Sequence, residues 1–258
     1  MSYLVVPGSF SPKCPLYVKN DFPTNVHSIS YCKCNFMCEF CFFKYYKNTN
    51  KYINYSAEQF ELLVNQLLSK GKMFKFTGGE PTLNKNLIRD LYIVKKAGGE
   101  CFLDTNGSSP QIIKQLLELK LISLFGISLK GLSASEATKR SGIDNQGICW
   151  DNVIKSMSLI SENSSCNLIV TYVCYDNFNL EKLIGFSKIL ENFNNVYLKI
   201  NNFQPNLDHP TPGLLPKDPT DLRQIIKLFL KDYPSWKNRI TLVDGPKAVS
   251  DIKEVIWM

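Results

Sequence analysis

Residues 27–41 read HSISYCKCNFMCEFC, a short β-type run that leads directly into a group of cysteines. Cys34, Cys38 and Cys41 follow the spacing C-x3-C-x2-C. Thiolates hold iron–sulfur clusters, and three ligands on one loop leave one iron of a [4Fe–4S] cube open to a small chelating molecule. Structural zinc sites instead close a shell of four ligands, usually from two separated cysteine pairs. The spacing therefore favours an iron–sulfur cluster with one open iron.

Cys32 lies two residues before this trio and leaves two other ligand selections open. A C-x5-C-x2-C selection would use Cys32 together with Cys38 and Cys41. A closed zinc or iron–sulfur centre would use all four cysteines, and the chain would then be a non-catalytic module for electron transfer or protein interaction. Substituting Cys32 separates these alternatives from the first selection, because only the alternatives need its thiol.

The length of 258 residues, 44% of them hydrophobic, indicates one medium globular domain or one domain with a small appendage. Nine cysteines, an odd number, argue against the disulfide framework of a secreted protein. The net charge of +7 includes no run of five or six like charges, so nucleic acid is not a predicted partner. The first residues lack a signal-peptide pattern and no window is apolar enough to span a membrane. We therefore expect a cytoplasmic chain without a membrane partner.

Short β-rich runs alternate with amphipathic helices along most of the chain. Ser56 and Gln59 form a capping-box pattern before one helical run. Apolar strands separated by helices predict a parallel sheet covered by helices, here an α/β fold with six strand–helix repeats in a partial (β/α)6 TIM-like barrel. The predicted strands cover residues 27–31, 73–77, 100–104, 124–129, 167–173 and 195–200, and further helices cover 84–97, 109–119, 151–163, 179–192 and 218–232.

Three polar segments come directly after predicted strands. They are residues 77–81 (TGGEP), 104–107 (DTNG) and 128–131 (SLKG). In open α/β sheets and barrels, ligand groups lie at the carboxyl ends of the strands. Glycines let the backbone approach a ligand closely, and a carboxylate suits a cation. The three segments therefore predict one ligand site at the same rim as the cysteines.

The cysteine spacing, with Phe40 before the third cysteine, resembles the radical S-adenosylmethionine superfamily. The DTNG segment at residues 104–107 makes the resemblance closest to small members like the pyruvate formate-lyase activating enzymes. The resemblance implies a barrel of the radical SAM type in which S-adenosylmethionine chelates the open iron. An electron from the cluster then yields a 5′-deoxyadenosyl radical that abstracts hydrogen from a protein, peptide or small molecule. An electron donor such as flavodoxin or ferredoxin is also implied. An alternative within the superfamily is an enzyme that modifies nucleotides or RNA.

The resemblance also assigns residues to the cofactor site. Glu80 and the two glycines before it would receive the methionine ammonium group, and Lys130 the methionine carboxylate. The related enzymes place a monovalent cation near Asp104, but Ser128 stands where they have a second aspartate. The complete set of predicted cofactor-binding residues is Phe40, Gly78, Gly79, Glu80, Asn106, Ser128 and Lys130.

We expect three parts along the chain: an N-terminal extension at 1–25, the core barrel at 26–204 and a C-terminal extension at 205–258. The last part begins with a proline-rich run, which should lead to a helix and then to a short terminal strand–helix piece. No cysteine follows Cys174, so a single cluster is expected. Loops and appendages carry specificity, and these flanks should therefore hold what is particular to this protein.

Overall fold

The computed structural model describes residues 2–10, 25–41, 53–175, 177–205, 211, 213–243 and 255–257. The strands are β1 (Ser2–Phe10), β2 (Asn25–Tyr31), β3 (Ile53–Asn54), β4 (Met73–Gly78), β5 (Glu100–Thr105), β6 (Leu124–Ser128), β7 (Asn167–Cys174), β8 (Val196–Asn202), β9 (Ile240–Val243) and β10 (Val255–Trp257). The helices are α1 (Ala57–Leu68), α2 (Leu87–Lys96), α3 (Pro110–Glu118), α4 (Ala134–Ser141), α5 (Asn152–Ser161), α6 (Leu180–Leu190) and α7 (Pro219–Asp232).

All ten described strands form one sheet in the order β10-β9-β8-β7-β6-β5-β4-β2-β1-β3. Seven adjacent strands, β2 and β4 to β9, are parallel to one another. Strands β1 and β10 pair antiparallel at the two ends of this parallel set. The chain is therefore an α/β protein with seven parallel strands, consistent with a partial TIM-like barrel.

The six predicted parallel strands are confirmed, and β9 adds a seventh beyond them. The proline-rich run before α7 suggested that the alternation of strands and helices stops there. In the structure it continues, because α7 and β9 form one more helix–strand unit next to β8. The terminal strand predicted after α7 is therefore part of the same sheet. Of the residues after it, where a helix was predicted, 255–257 form β10 and 244–254 lie outside the described residues. The division at residues 26 and 204 remains a prediction.

The two faces of the parallel sheet carry different side chains, because successive residues of a strand point to opposite faces. The outward face packs on the helices through a large buried cluster that includes Phe76 and Val170. The inward face has a smaller buried cluster near the beginnings of the strands. Its members are Val26, Met73, Phe102, Leu124 and Ile169. Further along the strands the inward face becomes polar, which places hydrophilic groups toward the carboxyl ends.

Helix starts follow the local sequence signals. The Ser56 hydroxyl accepts a hydrogen bond from the Gln59 amide at 3.2 Å, and the Ser56 amide donates to Gln59 Oε1 at 2.9 Å, which confirms the predicted capping box before α1. The Asp218 side chain accepts from the Thr220 amide at 2.8 Å, ahead of α7. No helix in the described part of the chain has the length and apolar character needed to cross a membrane.

Tyr31 joins the strand that leads into the cysteines to helix α2. Its hydroxyl donates a 3.0 Å hydrogen bond to Asp90 Oδ2, and both side chains are buried. Tyr31→Phe removes this donor from a buried carboxylate, so we expect it to lower the free energy of unfolding by about 1–3 kcal/mol in denaturant titrations.

The matched control for Tyr31→Phe is Tyr92→Phe on α2, where the tyrosine is 62% exposed. We expect this control to change the free energy of unfolding by less than about 0.5 kcal/mol. Equal stabilities of the two variants would contradict the anchoring role of Tyr31.

Candidate active site

The cysteine loop, residues 32–41, follows β2 at the carboxyl end of the parallel strands. Cys38 is buried, and Cys34 and Cys41 are partly buried. The Phe36 amide lies 3.4 Å from Cys34 Sγ as a hydrogen-bond donor, and the Cys41 amide donates to the Cys38 carbonyl oxygen at 3.2 Å. These short-range bonds give the cysteine loop its own turn structure at the predicted rim of the barrel.

Two glycines let the end of β4 approach the cysteine loop. Gly78 has a φ of +101°, and a Cβ on Gly79 would lie 2.1 Å from the Lys33 carbonyl oxygen. The Gly79 amide donates to the Tyr31 carbonyl oxygen and the Glu80 amide to that of Lys33, both at 2.6 Å. The close approach that the structure shows is thus to the chain's own backbone. The predicted contact of these glycines with a ligand stays a prediction.

Gly79→Ala tests this close approach. The added Cβ forces β4 and the cysteine loop apart, so we expect a loss of about 1–3 kcal/mol in the free energy of unfolding and less iron bound per chain after reconstitution. Gly147→Ala is the control, because its nearest contact would be Asn145 Oδ1 at 3.4 Å. Denaturant unfolding and iron analysis provide the comparison, and matching values for the two variants would refute the argument.

Glu80 is a buried carboxyl that ties β4 to β5, with 1% of its surface exposed. Its Oε1 accepts hydrogen bonds from the Thr82 amide at 3.0 Å and from the hydroxyls of Thr82 and Thr105, both at 2.6 Å. Its Oε2 accepts from the Asn106 amide at 2.6 Å. Burial raises the pKa of Glu80, while these hydrogen bonds oppose the rise. A cation brought next to this carboxyl would favour its charged form.

Asn106 connects the end of β5 to the cysteine loop. Its Nδ2 donates to Asn35 Oδ1 at 2.9 Å and lies 4.0 Å from Cys34 Sγ. Asn35 Nδ2 in turn donates to the Ser108 hydroxyl at 3.0 Å. Asn35 was not among the predicted site residues. The only signal for it in the sequence is its position directly after Cys34. The polar ends of β4 and β5 therefore hold the loop as well as the predicted ligand site.

Lys130, two residues beyond the end of β6, brings a positive charge to the cysteine loop. The side chain is 6% exposed, and its Nζ donates to the Ser128 hydroxyl at 2.6 Å. The same Nζ lies 5.2 Å from the ring centroid of Phe40. Within the described part of the chain this ammonium forms no ion pair with a carboxylate. Because a buried charge is costly until it is paired, Lys130 is suited to bind an anionic ligand group.

Arg140, in the last turn of α4, is a second buried cation that the sequence did not reveal. Its Cζ lies 5.0 Å from the ring centroid of Phe40 and 4.6 Å and 4.2 Å from those of Tyr172 and Tyr175. Its Nη2 donates to the Val173 carbonyl oxygen at 2.5 Å. Cation–π contacts with three rings position the Phe40 side chain. No motif marks an arginine at such a place in a helix.

The C-terminal end of α4 also holds the cysteine loop. The Met37 amide donates to the Ser141 carbonyl oxygen at 2.7 Å. Gly142 ends the helix with a φ of +67°, and a Cβ there would lie 2.5 Å from the Met37 carbonyl oxygen. The Tyr175 hydroxyl donates to Glu39 Oε1 at 3.2 Å. Strand ends and α4 thus fix the loop from several sides, as a preorganised site requires.

Burial and nearby positive charge act in opposite directions on the Cys38 thiol. Burial raises the pKa of this thiol, and the positive charges of Lys130 and Arg140 offset only part of the rise. Among the described residues, no three His, Cys, Asp or Glu side chains surround a point that could hold a single metal ion. A [4Fe–4S] cluster instead binds each thiolate through a different iron. The three-cysteine donor set fits such a cluster, and the ligand roles of Cys34, Cys38 and Cys41 remain predictions.

Residues 28–188 match the family model described as the Radical SAM superfamily. The chain belongs to the radical SAM superfamily. Members of this family use a [4Fe–4S] cluster and S-adenosylmethionine, and these are the cofactors of this chain. The match spans the cysteine loop and the ends of β4, β5 and β6, the parts of the chain that carry the predicted site residues.

Two curated relatives differ in what their names say. "Probable GTP 3′,8-cyclase" of Saccharolobus islandicus is 25% identical over 198 residues, which cover 74% of this chain and 60% of that protein. "Putative glycyl-radical enzyme activating enzyme" of Methanocaldococcus jannaschii is 38% identical over 55 residues, or 21% of this chain and 23% of that protein. The chain therefore spans about three-fifths of the first relative and a small part of the second.

Among solved structures, the fold is similar to that of SuiB from Streptococcus suis. The comparison with SuiB bound to S-adenosylmethionine has a TM-score of 0.65 at 17% identity, and covers 92% of this chain and 55% of that one. The comparison with SuiB bound to the precursor peptide SuiA has a TM-score of 0.67 at 19% identity, and covers 85% of this chain and 48% of that one. At these identities the likeness concerns the fold.

Proposed function

We propose that this chain reductively cleaves S-adenosylmethionine at one [4Fe–4S] cluster held by Cys34, Cys38 and Cys41, and uses the resulting radical to abstract hydrogen from a substrate. The observation that carries the proposal is the buried Lys130 ammonium, which lies beside the cysteine loop and forms no ion pair within the described part of the chain. A buried carboxyl, that of Glu80, lies two residues after the end of β4. The methionine part of S-adenosylmethionine carries a carboxylate, which complements Lys130, and an ammonium group, which complements Glu80.

The roles of the chain's own residues follow from these charges. Lys130 would hold the methionine carboxylate, and the Ser128 hydroxyl would orient the ammonium group of Lys130 through their hydrogen bond. Glu80, together with the backbone of Gly78 and Gly79, would receive the methionine ammonium group. Phe40, which is part of the cysteine loop, and Asn106, which contacts the loop through Asn35, would line the rest of the cofactor site. When bound, the cluster supplies the electron that splits the cofactor into methionine and a 5′-deoxyadenosyl radical.

Aromatic side chains around Arg140 contribute by excluding water from one side of the loop. Tyr175 is 6% exposed and Tyr172 is 1% exposed, and both stack near the guanidinium group. A dry site protects a reactive radical from side reactions. The radical would take one hydrogen atom from the substrate to give 5′-deoxyadenosine, and the unpaired electron would remain on the substrate. An electron donor such as flavodoxin or ferredoxin would reduce the cluster between turnovers.

Two substrate classes have support. An activating-enzyme role, with a protein or peptide as the substrate, is supported by the DTNG segment at residues 104–107 and by the short match to the Methanocaldococcus jannaschii protein. A small-molecule or nucleotide substrate is supported by the match over 198 residues to the protein named as a probable GTP 3′,8-cyclase. The match to the first protein is longer and the match to the second has the higher identity, and the activating role remains the finer proposal.

Deuterium transfer distinguishes the two classes. The reconstituted protein is incubated anaerobically with S-adenosylmethionine and a reductant, together with either ribose-deuterated GTP or a peptide that contains deuterated glycine. We expect deuterium in 5′-deoxyadenosine from only one of the two. Cleavage of the cofactor without transfer from either would exclude both probes as substrates, and an uncleaved cofactor would contradict the proposed function.

A further inference from the structure

Arg140 places a buried positive charge against the cysteine loop, and the proposed function gives this charge no role. The side chain is 5% exposed. Arg140 lies three residues after Ala137, and the two residues therefore share a face of α4. Ala137 is buried in one apolar cluster with Cys38, and Cys34 and Cys41 pack against the same cluster. The face of α4 that carries Arg140 is thus the face that packs on the three predicted cluster ligands.

The guanidinium group of Arg140 is held mainly by neutral groups. Its Nη2 donates to the Val173 carbonyl oxygen at 2.5 Å. Its Nε is buried and has no hydrogen-bond partner among the described residues, and Arg140 forms no ion pair with a carboxylate among them. The Glu136 carboxylate, one turn earlier in α4, is paired with Lys182 Nζ at 2.9 Å. The charge of Arg140 is therefore compensated only in small part by its own helix.

The surroundings of Arg140 let its charge act on the cysteine loop. Arg140 Cζ lies 5.0 Å from the ring centroid of Phe40, the residue directly before Cys41. Tyr172 and Tyr175, whose rings also contact the guanidinium group, are both buried. Charges interact more strongly where water is excluded. The Arg140 charge accordingly is one of those that act on the Cys38 thiol.

We propose that Arg140 raises the reduction potential of the [4Fe–4S] cluster, so that the electron donor reduces the cluster more easily. Reduction adds one electron from the donor to the cluster, without breaking a bond or moving a proton, and makes the site more negative by one charge. A nearby cation stabilises this reduced form more than the oxidised form. The methionine carboxylate would neutralise the charge of Lys130 in the proposed site, whereas Arg140 would keep its own.

This inference rests on the proposed function, because it requires the cluster at Cys34, Cys38 and Cys41. It adds a role in the electron transfer that precedes cofactor cleavage. Arg140 acts on the cluster through its charge and through the rings that it positions, and the test therefore measures a potential rather than the activity alone.

The test is a redox titration of the reconstituted protein with dithionite, without oxygen and without S-adenosylmethionine. Electron paramagnetic resonance follows the reduced cluster. Arg140→Gln should lower the ratio of reduced to oxidised cluster at a given potential by about tenfold, which corresponds to a midpoint potential about 59 mV lower for one electron. Arg140→Lys keeps the charge, so its midpoint potential should lie closer to that of the wild type than to that of Arg140→Gln.

The direction of the shift separates an electrostatic role of Arg140 from a structural one. If Arg140 only held the rings in place, its loss would let water reach the cluster. Water stabilises the more highly charged form of a group, and with three thiolate ligands this is the reduced form of the cluster. The midpoint potential of Arg140→Gln would then rise instead of falling.

Lys139→Gln is the matched control, because it removes a positive charge from the neighbouring, exposed position of α4. Water and salt screen that charge, so the midpoint potential should equal that of the wild type. Arg140→Met, which keeps an apolar contact with the rings, replaces Arg140→Gln if the latter takes up no cluster. A midpoint potential of the neutral variant equal to or above that of the wild type, or loss of the cluster from both neutral variants, would overturn the proposal.

Cofactor cleavage by the same wild-type preparation distinguishes this inference from the proposed function. A wild type that forms 5′-deoxyadenosine, but whose potential does not respond to Arg140→Gln, contradicts the role of Arg140 alone. A reducible cluster whose potential shifts as expected, without any 5′-deoxyadenosine after the cofactor is added, contradicts only the proposed function. A wild type that takes up no [4Fe–4S] cluster contradicts both.

Discussion

Cys38→Ala is expected to abolish both cluster binding and cofactor cleavage. In the proposed site each of the three thiolates would hold one iron, and the loss of one of them would leave two irons of the cube without a protein ligand. Formation of 5′-deoxyadenosine should fall by at least about two orders of magnitude, since the variant loses a group on which the whole reaction depends. Iron and sulfide analysis, the visible absorption of thiolate-bound iron and product formation measure the effect. Cys34→Ala and Cys41→Ala should behave in the same way.

Two other cysteines are controls for this prediction. Cys32→Ala should keep the cluster, because Cys32 is outside the C-x3-C-x2-C selection. Cys149→Ala should also keep it, although Cys149 is buried in the same apolar cluster as Cys38. Loss of the cluster in Cys32→Ala would instead favour a closed four-cysteine centre or the C-x5-C-x2-C selection.

Lys130→Met is expected to separate ligand binding from stability. The affinity for S-adenosylmethionine should fall by about tenfold to a hundredfold, because a hydrogen bond to a charged group contributes about 1.5–3 kcal/mol. The free energy of unfolding should stay the same or rise, because the substitution removes a buried ammonium that forms no ion pair in the described part of the chain. Equilibrium dialysis with labelled cofactor and denaturant unfolding measure the two quantities.

Lys139→Met is the matched control for Lys130→Met. Lys139 is an exposed lysine of α4 that directly precedes the buried Arg140 in the sequence. The control should leave both the affinity and the stability close to the wild type. A loss of stability in Lys130→Met with unchanged affinity would assign Lys130 a structural role and contradict its assignment to the cofactor.

The parts of the fold that sequence predicts are those with local signals. Short β-rich runs that alternate with amphipathic helices predicted the six core strands, and the Ser56–Gln59 pattern predicted the start of α1. The rule that polar groups gather at the carboxyl ends of parallel strands placed Glu80 and Asn106 at one rim, and the structure confirms this by their hydrogen bond. The spacing of the cysteines predicted the family, which the match over residues 28–188 confirms.

The parts that sequence does not predict depend on contacts between distant residues. Gly79 suggested a close approach to a ligand, but the backbone it approaches is that of Lys33, and only the packed chain shows this. Arg140 carries no motif, because its three ring contacts come from the cysteine loop and from the end of β7. The ion pair of Lys75 with Asp104 likewise depends on the pairing of β4 with β5.

The most direct test of the central claim is the amount of 5′-deoxyadenosine that the wild-type chain forms. The protein is reconstituted with iron and sulfide without oxygen, mixed with S-adenosylmethionine and dithionite, and followed by mass spectrometry. We predict that 5′-deoxyadenosine and methionine accumulate in equal amounts, well above those formed by Cys38→Ala. A wild-type protein that carries a complete cluster, yet forms no more 5′-deoxyadenosine than Cys38→Ala, would contradict the account.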